Sequence, residues 1–319
     1  MNDSVRIAVV GVGDFGVLHA ETLSRLPGAR LVALVDSDIG RAQAVFPKVG
    51  GPLVFSNMEA LIASRAAEAV VIATRAESHL PLALQAASAG LHVLVEKPLA
   101  HGADEIREFQ QSLTTRPVVV MVNHLCLFHS LIVPLRERLR ETGFRALHFV
   151  RHRPERIGER FPQDHPMQLT MVHDLYVAAQ IVNGEEPVAF HAMESRNAAG
   201  RVDMSWAALR WADGRTATFQ CHMMLPEGSP AEGWDSLEVF GDGLHSKVTT
   251  NPAPWTWTEA QTAWPVNLEI RPEGGMLAGV LKNFLSACRG GSVAGGCGAA
   301  DALQVQCWIE QLLNVAKKS

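Results

Sequence analysis

Apolar runs alternate with helical segments over the first 122 residues. The runs that predict strands are Val5–Val10, Leu31–Val35, Ala69–Ala73, Leu91–Val95 and Val118–Val122. Helical spacing marks Phe15–Leu26, Met58–Ser64, Pro81–Ala89 and Ala103–Leu113. The apolar runs lack polar–apolar alternation, which is typical of strands covered on both faces. This α/β alternation predicts a doubly wound parallel sheet of the Rossmann type.

The pattern changes after Asn123. Two helices, Ile132–Arg140 and Met167–Val182, are followed by longer strands with alternating polarity. These strands are Val188–Ser195, Met204–Trp211, Thr216–His222, Leu237–Phe240 and His245–Thr250. Tight turns between consecutive strands indicate antiparallel pairing, and Gly275–Cys288 and Ala299–Ala316 are helical. We therefore predict two domains, residues 1–122 and 123–319, the second an α+β domain with a large, mostly antiparallel open sheet.

Composition narrows the classes of function. The chain has 319 residues, 28 basic and 33 acidic, with a net charge of −5, so it lacks the basic field of a nucleic-acid-binding protein. No apolar stretch has the length of a membrane span, and the N-terminal residues do not resemble a secretion signal. The five cysteines form no CxxC pair. We expect a cytoplasmic protein with reduced thiols, no metal site, and neither nucleic acid nor membrane as a partner.

A glycine motif directly follows the first predicted strand and opens the first helix. Gly11–Gly16 reads Gly-Val-Gly-Asp-Phe-Gly, a GxGxxG. Gly11 permits the tight turn, Gly13 lets the backbone approach a pyrophosphate, and Gly16 lets helix and strand pack closely. The helix N-terminus, with Asp14 and Phe15, presents free N–H groups to phosphates. The motif predicts dinucleotide binding, whereas an ordinary glycine turn is the alternative.

An acid ends the second strand at the spacing expected for a ribose contact. Asp36 lies twenty positions after Gly16, where a carboxylate accepts a hydrogen bond from the ribose 2′-hydroxyl. Asp38 adds a second negative charge. Because both would repel a 2′-phosphate, the sequence favours NAD over NADP. The alternative role for Asp36 is to cap the following helix.

Two further motifs carry a resemblance to a known family. Leu91–Leu99 ends a strand with Glu96-Lys97-Pro98, and Ala73–His79 reads ATRAESH. With the glycine motif, these segments resemble the glucose–fructose oxidoreductase, inositol dehydrogenase and rhizopine catabolism family along essentially the whole chain. The resemblance implies a Rossmann domain followed by an open-sheet domain, and hydride transfer between nicotinamide and a carbinol carbon of a sugar or polyol.

The resemblance also implies functional residues. It adds Thr74, His79, Glu96 and Lys97 to the cofactor-binding residues. Segments that look most like members acting on nucleotide-linked sugars are Asn123-His124, Val172–Leu175 and Gly184–Pro187.

Lys97 and His173 are the candidate catalytic residues. Oxidation of an alcohol needs a base for the hydroxyl proton and a cation near the developing alkoxide. Lys97 lies at the carboxyl end of a Rossmann strand, where ligands bind. The alternative interpretation is a surface lysine without a catalytic role. His173 lies on a predicted helix as a possible general acid/base or, alternatively, as a hydrogen-bonded helix histidine. In the family an aspartate precedes this histidine by four positions, but here the position is Leu169.

Candidate substrate residues follow the Rossmann domain. The basic stretch from Arg151 through Arg160 to His165 offers Arg153 and Arg156 for an anionic group; the alternative is a solvated loop. Asn123 and Asp174 complete this set. His19, on the first helix, is expected to be a packing or surface residue.

Three functions remain open from the sequence. The first is an NAD-dependent dehydrogenase or reductase of a sugar, nucleotide-sugar or polyol. The second is an NAD-dependent glycosidase-type enzyme, and the third is a non-catalytic dinucleotide-binding protein, favoured by Leu169. We also predict a homodimer or homotetramer that covers the second sheet. Tryptophans expected to fill a face of that sheet or an interface are Trp206, Trp211, Trp234, Trp255, Trp257 and Trp264.

Overall fold

The computed structural model describes residues 4–113, 118–226, 228–229, 233–251, 256–258, 261–263 and 275–318. Trp255, Trp264 and the side chain of Trp257 lie outside this description. The chain forms two compact units, each built from two segments. The first unit combines Met1–Phe128 with Glu269–Leu303, and the second combines His129–Leu268 with Gln304–Ser319.

A six-stranded parallel sheet forms the centre of the first unit. Its strands are β1 (Val5–Val10), β2 (Ala29–Val35), β3 (Leu53–Phe55), β4 (Ala69–Ile72), β5 (His92–Glu96) and β6 (Val120–Asn123). The strand order is β3-β2-β1-β4-β5-β6, and every neighbouring pair is parallel. This order is that of a Rossmann fold and confirms the predicted sheet. All four residues of β4 are buried, as its uninterrupted apolar run predicts.

Helices connect these strands. They are α1 (Asp14–Arg25), α2 (Ile39–Gln43), α3 (Phe46–Val49), α4 (Met58–Ser64), α5 (Ala76–Ser88) and α6 (Ala103–Leu113). A 3₁₀ turn, Leu125–Phe128, follows β6. The sequence did not predict β3, α2 or α3, because elements of three to five residues are too short to show a periodicity.

A mixed six-stranded sheet forms the centre of the second unit. Its strands are β7 (Ala146–Pro154), β8 (Ala189–Arg196), β9 (Val202–Arg210), β10 (Thr216–Leu225), β11 (Trp234–Gly241) and β12 (Leu244–Asn251). The order is β12-β11-β7-β10-β9-β8. The predicted antiparallel pairing holds for every neighbouring pair except β7 and β10, which are parallel. A backbone hairpin joins β13 (Thr256–Thr258) to β14 (Gln261–Ala263).

The two faces of this sheet differ in polarity. On one face Phe149 and Phe219 are buried and stack with ring centroids 5.0 Å apart. The other face is partly exposed. Among its larger side chains are Met193, Trp206, Phe240, His148, His152 and His222.

The second unit also contains the helices α7 (Ile132–Thr142), α8 (Glu155–Arg160) and α9 (Val172–Ile181). The sequence predicts one continuous helix over Met167–Val182, but its first turn, Met167–Met171, is a π-helix that runs into α9. Every residue of α9 except His173 is buried. Because the segment is buried on nearly all sides, its sequence shows no polar–apolar periodicity that could distinguish a π-helical turn from an α-helical one.

Two helices end the chain, α10 (Gly275–Cys288) and α11 (Ala299–Ala316). The loop between them returns to the first sheet, where Val122 N–H donates to Cys297 O at 2.7 Å and Met121 pairs with Gly298. The predicted division at residues 122 and 123 treats the domains as consecutive, whereas this return places a late segment in the first unit. In the described part of the chain, no helix combines the length and apolarity needed to cross a bilayer.

Candidate functional site

The glycine motif forms a tight turn at the carboxyl end of β1. Gly11 has a positive φ of 86°, and a Cβ there would lie 2.7 Å from the Ala73 carbonyl oxygen. A Cβ on Gly16 would lie 1.9 Å from the Gly11 carbonyl oxygen, so α1 can approach β1 only with glycine at this position. A Cβ on Gly13 would meet nothing within 4 Å. The turn is therefore crowded on the protein side at Gly11 and Gly16 and open at Gly13.

The open side of this turn fits a dinucleotide pyrophosphate. Gly13 is the N-cap of α1 and has no side chain to accept a hydrogen bond from the first-turn N–H groups. Those N–H groups and the helix dipole favour an anion at this end. Phe15 is half exposed in the same turn, and Asp14 adds the one acidic side chain of the first turn. The donors present thus fit the phosphates of NAD.

Asp36 is held in place at the end of β2. Its side chain is nearly buried, and Oδ2 accepts a hydrogen bond from Val12 N–H at 2.8 Å. Oδ1 accepts from Asp38 N–H at 2.9 Å. The helix α2 is capped by Asp38, not Asp36, through a 3.1 Å bond from Arg41 N–H. The Arg41 guanidinium lies 3.8 Å from Asp36 and 3.9 Å from Asp38.

His79 joins the end of β4 to the turn after β5. Its Nδ1 lies 2.8 Å from the Pro98 carbonyl oxygen and its Nε2 lies 3.1 Å from the Thr74 carbonyl oxygen. The ring is 2% exposed, so it fixes the two loops from the inside. The Lys97–Pro98 peptide is cis. Thr74 accepts a 2.8 Å hydrogen bond from the Ser78 hydroxyl.

Glu96, the last residue of β5, is bonded to two neighbouring elements. Its Oε1 accepts a hydrogen bond from Asn123 Nδ2 at 2.5 Å and lies 2.8 Å from His19 Nε2. Although burial raises it, the His19 and Asn123 hydrogen bonds and the positive charge of Lys97 hold the pKa of Glu96 below its usual value. The carboxylate is therefore ionised and fixed.

Lys97 follows Glu96 directly and is partly buried. Its charge acts on both Glu96 and His124. His124 is buried, and burial together with the Lys97 charge holds the pKa of its ring well below the usual value. The carboxyl edge of β5 and β6 thus brings together a cation, a carboxylate and a neutral imidazole.

In the second unit, His173 occupies the one partly exposed position of α9. In the preceding π-helical turn, Gln168 and Leu169 are partly exposed while Met167, Thr170 and Met171 are buried. His173, Gln168 and Leu169 therefore form the open side of this helical segment. A π-helix has more residues per turn than an α-helix, so a position four residues before His173 does not keep the usual α-helical register.

A buried ion-pair network surrounds Asp174. Arg151 donates two hydrogen bonds to Asp174, at 3.0 and 2.7 Å, and one to Asp235 at 2.8 Å. Arg153 donates to both oxygens of Asp235, at 2.5 and 3.1 Å. Burial raises the pKa of Asp174, although the Arg151 guanidinium opposes this effect. The four charges balance within the unit.

The structure therefore groups the predicted residues unequally. It brings Gly11–Gly16, Asp36, Thr74, His79, Glu96, Lys97 and Asn123 to the carboxyl edge of the first sheet. In the second unit, Arg153 and Asp174 belong to one ion-pair network, and Arg156 donates to the Ser229 carbonyl oxygen at 2.7 Å. His19 is not a surface residue, because it is fully buried against Glu96. No signal in the sequence points to this contact, because Glu96 lies 77 positions further along the chain.

Comparison with known proteins extends this picture. The model of the family described as "Oxidoreductase family, NAD-binding Rossmann fold" matches residues 5–124. The inositol 2-dehydrogenase 2 of Saccharopolyspora erythraea is 31% identical over 278 residues, which are 84% of this chain and 80% of that enzyme. The UDP-N-acetylglucosamine 3-dehydrogenase of Acidithiobacillus ferrooxidans is 26% identical over 97% of this chain and 99% of that enzyme.

Other matches are shorter or concern the fold alone. Against three further inositol 2-dehydrogenases, the matched stretch spans 31%, 54% and 66% of their length. The crystal structure of the myo-inositol 2-dehydrogenase from Lactobacillus plantarum superposes with a TM-score of 0.85 at 18% identity, covering 99% of this chain and 98% of that one. The two-unit architecture is therefore shared. The chain belongs to the family of oxidoreductases with an NAD-binding Rossmann fold that includes glucose–fructose oxidoreductase and inositol dehydrogenase.

Proposed function

We propose that this protein is an NAD-dependent oxidoreductase that moves a hydride between nicotinamide and a CH–OH or carbonyl carbon of a sugar, nucleotide-sugar or polyol. The observation that carries the proposal is the position of Lys97, beside a fixed carboxylate at the same sheet edge as the glycine turn. Ligands of doubly wound sheets bind at this carboxyl edge. The relatives named inositol and UDP-N-acetylglucosamine dehydrogenases support the substrate class.

NAD is the proposed cofactor, in preference to NADP. Asp36 is ionisable, nearly buried and oriented by two backbone N–H groups, so its carboxylate has little freedom to move away from a 2′-phosphate. Asp38 adds negative charge at the surface. Arg41 offers a guanidinium to both carboxylates, which leaves it less available to an added phosphate.

Lys97 and His173 are the proposed catalytic residues. NAD, when bound, accepts the hydride from the alcohol carbon or returns it. Lys97 stabilises negative charge on the reacting oxygen, and a positioned cation contributes most where charge develops. His173 takes or gives the hydroxyl proton from the open position of α9. Tight hydrogen bonding of Glu96 keeps its carboxylate beside the Lys97 amine through the reaction.

The candidate substrate residues are Asn123, Arg153, Arg156 and Asp174. Each already has a hydrogen-bond partner within the protein. We propose that Asn123 still has a free acceptor for substrate or cofactor, because its Oδ1 is buried without a hydrogen-bond partner among the described residues. Because Asp174 lies on α9 next to His173, its ion pairs with Arg151, which also binds Asp235, hold this part of the helix in place.

A substrate panel tests the proposed function. The purified protein, NAD and a set of inositols, sugars and UDP-N-acetylhexosamines are combined, and NADH absorbance is followed. We expect turnover with one or a few related CH–OH compounds, and loss of that turnover in Lys97→Ala. Tight binding of NAD without reduction on any member of the panel would instead support the non-catalytic alternative that Leu169 favours.

The assembly and location are further parts of the proposal. One face of the second sheet exposes Met193 and Phe240 beside Trp206 and several histidines. Exposed apolar side chains on a sheet face favour burial against another surface. The same face of a second copy of the chain has matching polarity. We propose a cytoplasmic homodimer or homotetramer formed on this face. Sedimentation of a monomer at micromolar concentration would contradict it.

A further inference from the structure

Three elements of the first unit meet at a single carboxylate oxygen. Glu96 Oε1 at the end of β5 receives Asn123 Nδ2 from the end of β6 and His19 Nε2 from α1. His19 is 0% and Asn123 is 1% exposed. Asn123 Nδ2 also lies 3.4 Å from His19 Nε2, so the three side chains form one cluster.

Burying such a cluster lowers the stability of the fold unless every polar atom in it is hydrogen-bonded. Burial removes the His19 and Asn123 side chains and most of the Glu96 carboxylate from water, and hydrogen bonds within the cluster offset part of that loss. Asn123 Oδ1 and His19 Nδ1 still have no hydrogen-bond partner among the described residues. An apolar trio would pack the same junction of helix and strands without this cost. The polar choice therefore points to a task at Glu96.

We propose that His19 and Asn123 are positioning residues, which fix the Glu96 carboxylate so that its negative charge acts on the Lys97 amine. The inference rests on the proposed catalytic role of Lys97. In the described part of the chain, the groups that act on Glu96 are His19 from α1, Asn123 from β6 and Lys97, which directly follows β5. His124, just after β6, faces Lys97 and is held neutral by burial and by that lysine's charge, so it does not oppose Glu96.

The direction of the effect follows from the charges. An ionised Glu96 favours the ammonium form of Lys97, because the charge of each group acts on the other and opposite charges stabilise each other. Without the His19 donor, Glu96 is protonated more readily or turns away from its present position. Either change weakens the field at Lys97. The Lys97 amine then loses its proton at lower pH than in the unchanged protein.

Lysine titration by NMR measures this directly and needs no substrate. The chain has six lysines, so reductive ¹³C-methylation gives few signals. Lys97 is assigned as the signal missing from Lys97→Arg. His19→Phe and Asn123→Ala each remove one donor to Glu96, Glu96→Gln removes the charge, and His19→Gln restores a donor.

The proposal makes a distinct expectation for each variant. The Lys97 midpoint moves to lower pH by roughly one unit in His19→Phe and in Glu96→Gln, and in the same direction in Asn123→Ala. His19→Gln stays within a few tenths of a unit of the unchanged protein. The control is His92→Gln, at the opposite end of β5, where the ring accepts a hydrogen bond from Val119 N–H. It leaves the Lys97 midpoint unchanged.

Two results overturn the inference. One is an unchanged Lys97 midpoint in folded His19→Phe; if that variant does not fold, the same result in Asn123→Ala decides. The other is a shift in Glu96→Gln with none in either donor variant. A shifted midpoint in a protein that oxidises nothing in the substrate panel keeps the inference and refutes the proposed function. Where turnover is found, kcat shifts along the pH axis with the midpoint while the Kd for NAD stays within a few-fold.

Discussion

The two proposed catalytic residues are held in place by different kinds of structure. Lys97 follows the end of β5, and its neighbours Glu96 and Pro98 are hydrogen-bonded to side chains from α1, β6 and α5. His173 sits on a helix that is otherwise buried, above a network of four charged side chains. Both arrangements join residues that are distant in the chain, but the first holds a sequence motif by hydrogen bonds, whereas the second depends on buried ion pairs.

This contrast shows where the molecule is sensitive to change. At the edge of the first sheet, the Glu96 carboxylate and the carbonyl oxygens that hold the site each have one or two hydrogen-bond partners. In the second unit, Arg151 donates hydrogen bonds to two buried carboxylates, Asp174 and Asp235, so a single substitution removes a positive charge from both of them. We expect damage in the first unit to appear in turnover and damage in the second to appear first in stability.

The largest expected effect is on stability, in Arg151→Met. Removing this guanidinium takes away both of its hydrogen bonds to Asp174 and its hydrogen bond to Asp235, and breaking a buried ion pair costs about 3–5 kcal/mol. Urea unfolding measures the loss in free energy of unfolding. Arg138→Met is the control, because its pair with Glu141 is exposed and is worth less than about 1 kcal/mol. Equal losses of unfolding free energy in the two variants would contradict the proposed contribution of the buried ion pairs to stability.

The second expected effect is on catalysis, in Lys97→Ala. A cation aimed at developing negative charge contributes about 3–4 kcal/mol, so kcat falls by roughly 100-fold or more. The Kd for NAD, measured by calorimetry, stays within a few-fold because the phosphates bind at the glycine turn instead. His173→Ala also lowers kcat and removes one ionisation from its pH profile. If neither variant changes turnover on the true substrate, the catalytic assignment is wrong.

The same contrast decides how much the sequence could predict. Gly11–Gly16, Asp36 and Lys97 lie at strand ends that apolar runs mark, so the strand order brought them together as expected. His19 carries no such mark, because a single histidine within a helix gives no sign of a partner 77 residues away. The pairing of Arg151 with Asp174 and Asp235 depends on the register of β7 against β11. That register comes from tertiary packing and cannot be read from periodicity.

The third expected effect is on cofactor choice, in Asp36→Ser. Loss of the oriented carboxylate relieves repulsion of a 2′-phosphate and removes an acceptor for the ribose hydroxyl, so the preference for NAD over NADP narrows by roughly tenfold. Calorimetric titration with both cofactors measures the ratio. Asp38→Ser is the matched control, because Asp38 is exposed and its serine replacement retains a helix cap. Equal or better binding of NADP by the unchanged protein would refute the assignment.

The smallest expected effect tests the register of the open side of α9. Leu169 stands where the family has an aspartate, four positions before His173, but Met167–Met171 is π-helical here. In a π-helix the residue five positions away comes closer to the same face, so Gln168 competes with Leu169 for the place beside the imidazole. Leu169→Asp and Gln168→Asp each add a carboxylate to the partly exposed side of this segment.

A carboxylate beside His173 stabilises the imidazolium, so the acid limb of the kcat profile moves to higher pH, by roughly half a unit for a solvated pair. We expect the larger shift in the variant whose side chain faces the ring, and a negligible one in the other. Because Thr170 is buried and donates to the Pro166 carbonyl oxygen, Thr170→Ser serves as a control that keeps the turn intact. A shift in Leu169→Asp alone means that the residue four positions before His173 still lies beside the imidazole, despite the π-helical turn. A shift in Gln168→Asp alone means that the wider turn has moved the orienting position by one residue, and that Gln168 now occupies it.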